Sequence, residues 1–152
     1  MANTQLTEIN DLFMLLNSDY RLMSLYQSSV SNFNTYLEGW LLYSINEFKP
    51  YCDQALTYSS GSKTFSVELT QENQLILAQI MVKYWLQKTV QDILQMNNVI
   101  LDHDFKVVSQ AANLKAKQDY YSMKREEISQ LLVDYNLRKN PWQSWETQVF
   151  RS

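Results

Sequence analysis

Two glycines and two prolines in 152 residues leave this chain few ways to turn. Glycine supplies positive φ without steric cost and proline presets tight turns, so repeated hairpins and phosphate-cradling loops depend on them. Gly39 and Gly61 cannot furnish a P-loop, a dinucleotide fingerprint or a repeated tight-turn β architecture. Long helices joined by few connections remain. The expected fold class is all-α: a small bundle of about four helices with a long loop and an extended C-terminal arm. The length predicts one core, placed at residues 1–140, with 141–152 as a separate aromatic arm.

Hydrophobic residues at 45% and charged residues at 19% are the proportions of a globular chain. The net charge of -3 argues against a duplex-binding module, which carries a strongly basic face. Most of the basic residues nonetheless fall late, at Lys106, Lys115, Lys117, Lys124, Arg125, Arg138, Lys139 and Arg151. They read as solvated helix faces with a basic C-terminal end, leaving room for a weak phosphate contact in a larger assembly. Cys52 is alone, so no bridge forms within the chain; a reducing compartment fits, and the thiol reads as a small buried apolar residue. Residues 1–12 lack the basic-then-apolar pattern of a signal peptide. No run approaches the roughly 18 apolar residues of a spanning helix, and no membrane partner is expected.

Apolar spacing then places the elements. Leu6, Ile9, Leu12, Phe13 and Leu16 form one stripe, with Thr4 or Thr7 as cap. Residues 20–26 are ambiguous, and the Ser- and Asn-rich stretch 27–34 reads as a connection. Phe33, Leu37, Trp40, Leu41, Ser44, Ile45 and Phe48 form a second stripe that Pro50 ends. Gly39 within it costs about 1 kcal/mol relative to alanine, expected as the concession to close helix packing. The third helix, capped by Thr70, is the strongest. Leu75, Ala78, Val82, Trp85, Leu86, Thr89, Ile93 and Met96 make its stripe, and Ile76, Leu77, Ile80 and Met81 widen it nearly all round. A helix so apolar belongs at the centre of the protein. A fourth, capped by Asp102 or Asp104, is expected to bury Phe105, Val108, Ala112, Ala116, Tyr120, Met123, Ile128, Leu131, Leu132 and Tyr135, its small alanines allowing close approach. Asn140 and Pro141 stop it.

Two stretches fit none of these helices. Phe65, Val67 and Leu69 alternate with polar residues after a turn at 59–63, which predicts an extended segment. It is expected to have no partner strand in this chain and to offer itself to a neighbouring subunit. The arm carries Trp142, Trp145, Val149 and Phe150 among polar residues. One reading folds it back over the bundle; the preferred one anchors its aromatics in a partner, because tryptophan and tyrosine dominate interface hot spots. Phe65, Val67, Trp142, Trp145, Val149 and Phe150 are the expected partner-binding residues.

No constellation points to catalysis. His103 between Asp102 and Asp104 invites a metal or general-base role, but sequence neighbours do not face one another on a helix and no second histidine exists. A carboxylate-bridged di-iron bundle would want a glutamate at position 100, where isoleucine stands. Glu126 and Glu127 project about 100° apart on a helix and read as surface charges. The serine pairs Ser28-Ser29 and Ser59-Ser60 lack the glycines of a nucleophile elbow. The chain is expected not to be an enzyme, with no metal and no cofactor.

In layout the sequence resembles the small all-helical head–tail connector proteins of tailed bacteriophages, also called neck or adaptor proteins, over residues 33–150. The likeness rests on the helix ending Ser44-Ile45-Asn46-Glu47-Phe48 and the loop with Cys52, Leu56 and Phe65. It continues through Leu75-Ile76-Leu77-Ala78-Gln79-Ile80-Met81-Val82-Lys83-Tyr84-Trp85-Leu86, the long helix through Ala111-Ala112-Asn113-Leu114, and the aromatic tail. The resemblance implies a structural virion protein, made in the host cytoplasm and docked as a ring, usually twelve-fold, beneath the portal. Its partners would be the portal protein, tail or further neck proteins and its own copies, with non-specific contact to packaged DNA that it helps retain. The alternative is a soluble helical regulator or inhibitor that captures one protein through its arm. Assembly state separates the two.

Overall fold

The computed structural model describes residues 2–17, 19–99 and 104–139, with side chains for all of these except 20, 96–99 and 104–113. Five helices follow one another: α1 (Leu6–Leu16), α2 (Tyr20–Ser28), α3 (Val30–Phe48), α4 (Gln71–Val99) and α5 (Asp104–Lys139). Between α3 and α4 lies one short hairpin, β1 (Tyr58–Ser59) and β2 (Thr64–Phe65). The fold is all-α, as expected, with one helix more than anticipated.

The extra helix, α2, forms from the ambiguous stretch 20–26, and the stretch 27–34 read as a connection is helical on both sides of Ser29. Asp19 caps α2 by accepting the Arg21 N–H at 2.7 Å. Ser29 then serves two helices at once: its N–H bonds to the Leu25 carbonyl at 3.0 Å, and its hydroxyl accepts the Asn32 N–H at 3.3 Å. The serines and asparagines of 27–34 therefore supply caps and a solvated face, while Leu22 and Phe33 anchor the two helices in the core.

Helix α4 is central, as its all-round apolarity requires. Ile76, Leu77, Ala78, Ile80, Met81, Val82, Trp85 and Leu86 are all buried, and α1, α3 and α5 each pack along it while α2 packs on α3. Each large side chain so buried contributes roughly 1.5–3 kcal/mol. Thr70 caps α4 as expected, accepting the Asn73 N–H at 3.3 Å. On α1, Leu6, Ile9 and Phe13 face the core. On α3 the buried stripe is Phe33, Leu37, Leu41, Ser44, Ile45 and Phe48, and the helix ends at Phe48 ahead of Pro50. Trp40, placed in that stripe from the sequence, is only half-buried. Gly39 departs further: it is exposed, and a Cβ built there meets nothing within 4 Å. No close approach explains this glycine.

The extended segment does find its partners inside the chain. Tyr58 pairs with Phe65 and Ser59 with Thr64 in an antiparallel register, across a turn in which Lys63 takes φ 56°. The N-terminal residues lie along its other side. The Phe65 N–H bonds to the Thr4 carbonyl at 2.8 Å, the Leu6 N–H to the Lys63 carbonyl at 2.9 Å, and the Thr4 N–H to the Val67 carbonyl at 3.3 Å. The Thr4 hydroxyl accepts the Leu69 N–H at 2.8 Å, so Thr4 is a stitch and not the cap of α1. Gln5 caps α1, its N–H held by the Glu8 carboxylate at 2.9 Å.

Helix α5 also departs from expectation. Ile128, Leu132 and Tyr135 are buried, but Ala116, Tyr120 and Met123 are exposed. Stepping back from Ile128 by the helical period, the inward face runs through Lys124, Tyr121, Lys117 and Leu114, all half-buried. Two lysines on that face disguised it, because a lysine's aliphatic stem can cover apolar surface although the residue counts as charged. The alanines at 111 and 112 lie outside the described side chains.

Candidate partner-binding surface

Of the six residues expected to bind a partner, Trp142, Trp145, Val149 and Phe150 lie outside the described residues, as does His103. The other two are placed. Phe65 is fully buried, 5.2 Å from the Tyr58 ring, and Val67 is partly buried against the same core. Phe65 is thus a core residue of its own chain and unavailable to a neighbour; its pairing with β1 and residues 4–6 turned it inward.

The end of α5 is held by a polar latch. The loop after α3 brings Asp53 and Gln54 against the first turn of α4 and the last turn of α5. The Tyr135 hydroxyl donates to the Asp53 carboxylate and accepts the Asp53 backbone N–H at 3.1 Å. Asn73, fully buried, donates its amide to Asp53 Oδ1 at 3.0 Å and to Gln54 Oε1 at 2.7 Å. Arg138 and Lys139 close the latch from outside, on Glu72 at 2.6 Å and on Asp53 at 3.3 Å. The Tyr135 hydrogen bond, with the Asn73 amide second, holds the Asp53 carboxyl at about 2, below its ordinary 3.8. Burial pushes the Tyr135 phenol up, and the Cys52 thiol beside it as well, so both stay protonated at neutral pH. A protonated thiol is a poor nucleophile. The latch can hold the end of α5; it carries no reactive group poised for chemistry.

A different surface has the features of a recognition site. On α3, Tyr36, Trp40 and Tyr43 stand at i, i+4 and i+7, so they share one face beside the core stripe. Tyr36 meets Trp40 edge-on at 5.9 Å, Trp40 lies 6.2 Å from Tyr43, and Tyr43 lies 5.4 Å from Tyr84 on α4. Trp40, Tyr43 and Tyr84, with Gln87, Lys88 and Gln91, line an open groove of about 400 Å³. The charges beside it are paired: Lys83 pairs with Glu47 and sits 4.5 Å over the Tyr84 ring, and Lys88 holds Asp92 at 2.9 Å. Burial, then the Glu47 charge, pushes the Tyr84 phenol up to about 12, so the wall stays neutral. Tyr43 is 57% exposed, and the Trp40 indole Nε1 is buried without a hydrogen-bond partner among the described residues. Rings with an apolar face and a polar tip, left half open, are the side chains that protein interfaces favour. The sequence signal was present as a second aromatic stripe offset from the core stripe, and counting Trp40 as core concealed it.

Tyr36 lines a separate, smaller cleft of about 160 Å³, with Leu22, Leu25 and Trp85 in its wall. Among the described residues no group of histidines, cysteines and carboxylates could hold a metal ion. Among them, too, no helix is long and apolar enough to cross a membrane. No family model matches the chain, and neither a curated protein nor a solved structure does.

Proposed function

We propose that this chain is a structural adaptor of a bacteriophage virion, a head-to-tail connector whose copies join in a ring beneath the portal and help retain the packaged genome. The observation that carries this reading is the open aromatic groove between α3 and α4, a surface suited to protein contact. Two further features support it. Helix α5, with 36 residues, is about 54 Å long, and its fully buried described side chains fall only at Ile128, Leu132 and Tyr135. Its outward face keeps Met123, Val133 and Leu137 about half exposed. A chain with different contact surfaces on different helices can bind its neighbour head to tail, and such contacts close into rings. The order of elements, from the amphipathic helix through the loop and central helix to the long helix and aromatic tail, is the layout that the resemblance rests on. In this reading the portal and tail or further neck proteins are the partners, and lysines facing the channel would touch DNA only through its backbone.

The test is recovery of the tagged chain from a phage lysate, with its companions identified by mass spectrometry. Portal or tail subunits in near-integer ratio to the chain are the expected companions. Recovery with one cellular protein and no virion subunit would overturn the adaptor reading in favour of a regulator that binds through its arm. Deleting 141–152 should leave helical content and thermal midpoint nearly unchanged while removing the companions.

A further inference from the structure

We propose that the small cleft where α2, α3, α4 and α5 meet is a binding site for a free α-amino acid with an apolar side chain. The inference stands apart from the adaptor reading and concerns a part of the molecule that the reading does not use.

The cleft has an apolar floor. Leu22 on α2 and Trp85 on α4 are buried there, and the half-buried Leu25 and Tyr36 stand beside them. Its volume is about 160 Å³. A cavity of about 150 Å³ holds a benzene ring, so an aliphatic or benzyl side chain is the size of group that this floor takes.

Away from the floor the lining carries charge of both signs. Asp19 and Arg21 come from the start of α2, Asp92 from α4 and Lys117 from α5. On α4, Trp85, Thr89 and Asp92 recur at i, i+4 and i+7, so the floor, a hydroxyl and an acid share one face. Two cations and two carboxylates around one cleft would ordinarily close it with ion pairs. Among the described residues, however, neither Arg21 nor Lys117 pairs with Asp19 or Asp92. Asp92 is held instead by Lys88 of its own helix at 2.9 Å, and both partners are nearly half exposed, an arrangement that binds weakly. Asp19 gives one carboxylate oxygen to the Arg21 backbone N–H at 2.7 Å and keeps the other. The Thr89 hydroxyl donates to the Trp85 carbonyl at 2.9 Å, which leaves its oxygen as an acceptor.

This distribution selects the ligand. A lone anion would meet Asp19 and Asp92 as well as the cations, and a lone cation would meet Arg21 and Lys117. An uncharged apolar molecule would leave all four charges unanswered. A small zwitterion answers them together. Its carboxylate takes the forked donors of Arg21 and the ammonium of Lys117. Its own ammonium has three N–H donors for Asp19, Asp92 and the Thr89 oxygen. Its side chain covers Leu22, Leu25 and Trp85.

The experiment is calorimetric titration of the full-length chain with L-leucine and with L-phenylalanine. One of them should bind saturably at one site per chain, with a Kd of about 1 mM or tighter for a ligand of this size. Two derivatives each remove one charge: N-acetyl-L-leucine has no ammonium and L-leucinamide no carboxylate. Each should bind about tenfold more weakly than L-leucine or worse, the loss of one charge-assisted hydrogen bond. Arg21→Gln and Asp19→Asn should weaken L-leucine to a similar degree with unchanged far-ultraviolet circular dichroism, since asparagine caps a helix as well as aspartate. Arg21→Gln should leave the binding of L-leucinamide as it is in the parent chain, because the group that Arg21 would hold is already missing. A loss there as large as for L-leucine would mean that Arg21 acts through structure, and would overturn the assignment. No saturable binding of either amino acid up to about 10 mM, or derivatives that bind as tightly as L-leucine, would overturn it too.

Discussion

Replacing Tyr135 by phenylalanine removes one oxygen from the centre of the latch and tests how the end of α5 is held. The ring itself should stay, packed edge-on against Phe48 at 5.2 Å with no exposed surface. What disappears is the hydrogen bond to the Asp53 carboxylate, the partner of the buried Asn73 side-chain oxygen at 2.9 Å, and the acceptor for the Asp53 N–H. A bond to a charged group contributes about 1.5–3 kcal/mol, and the N–H left behind, close to the surface, is partly satisfied by water. Tyr135→Phe should therefore destabilise the chain by roughly 2–3 kcal/mol, with the melting temperature falling by about 4–12 °C for a protein of this size. The pH dependence is the sharper measurement. Asp53 has a folded value lowered to about 2 from 3.8, so its stabilisation is full above the unfolded value and fades as pH falls through the folded one. Because the Tyr135 bond is the largest cause of that lowering, the variant should lose little over the same window. Urea unfolding of both proteins at neutral pH and at steps from about pH 4 down to about pH 2 reads this directly. The gap between them should narrow on acidification. A constant gap, or a melting shift below about 1 °C at neutral pH, would refute the latch as the anchor of α5.

Other substitutions probe other parts of the fold. Gly39→Ala should stabilise the chain by about 1 kcal/mol in urea unfolding, since the site is exposed mid-helix with open space for a methyl group; a loss would mean the groove side of α3 is more crowded than described. Trp85→Ala, at the centre of α4, should cost about 3–5 kcal/mol by the same assay, and a near-neutral result would displace α4 from the core. Lys83→Met should destabilise by about 1–3 kcal/mol, as it strands the quarter-exposed Glu47 without its cation. The double variant Lys83→Met/Glu47→Gln should recover part of that loss, and failure to recover would mean that lost packing, not the stranded charge, sets the cost.

The sequence was most legible where one property dominates a long window. Helix α4 reads as central because apolar residues surround it, and Thr70 and Pro50 mark boundaries through fixed backbone chemistry. It was least legible where the structure depends on contacts distant in sequence. Nothing periodic announces that Thr4 pairs with residues 65–69, because the bonds are made by backbone and one hydroxyl. Over 114–124 the face of α5 was misread by about a third of a turn, since Lys117 and Lys124 occupy positions that a count of apolar residues skips, whereas Ile128, Leu132 and Tyr135 are buried as expected. The groove was lost for a related reason. Trp40 is apolar enough to be counted with the core stripe, although only its neighbours Tyr36 and Tyr43 reveal that it belongs to a second stripe.

The docking of α1 on α4 also has a consequence during synthesis. The apolar stripe Leu6, Ile9 and Phe13 has its main partner in α4, whose buried run begins at Ile76. Between Phe13 and Ile76 the ribosome must add roughly 60 residues, about 3–12 s at elongation rates of about 5–20 residues per second. Throughout that interval the stripe lacks its main partner, and for most of it the Val67 and Leu69 that stitch to Thr4 have not been made. Helix α1 is thus made well before the helix that secures it.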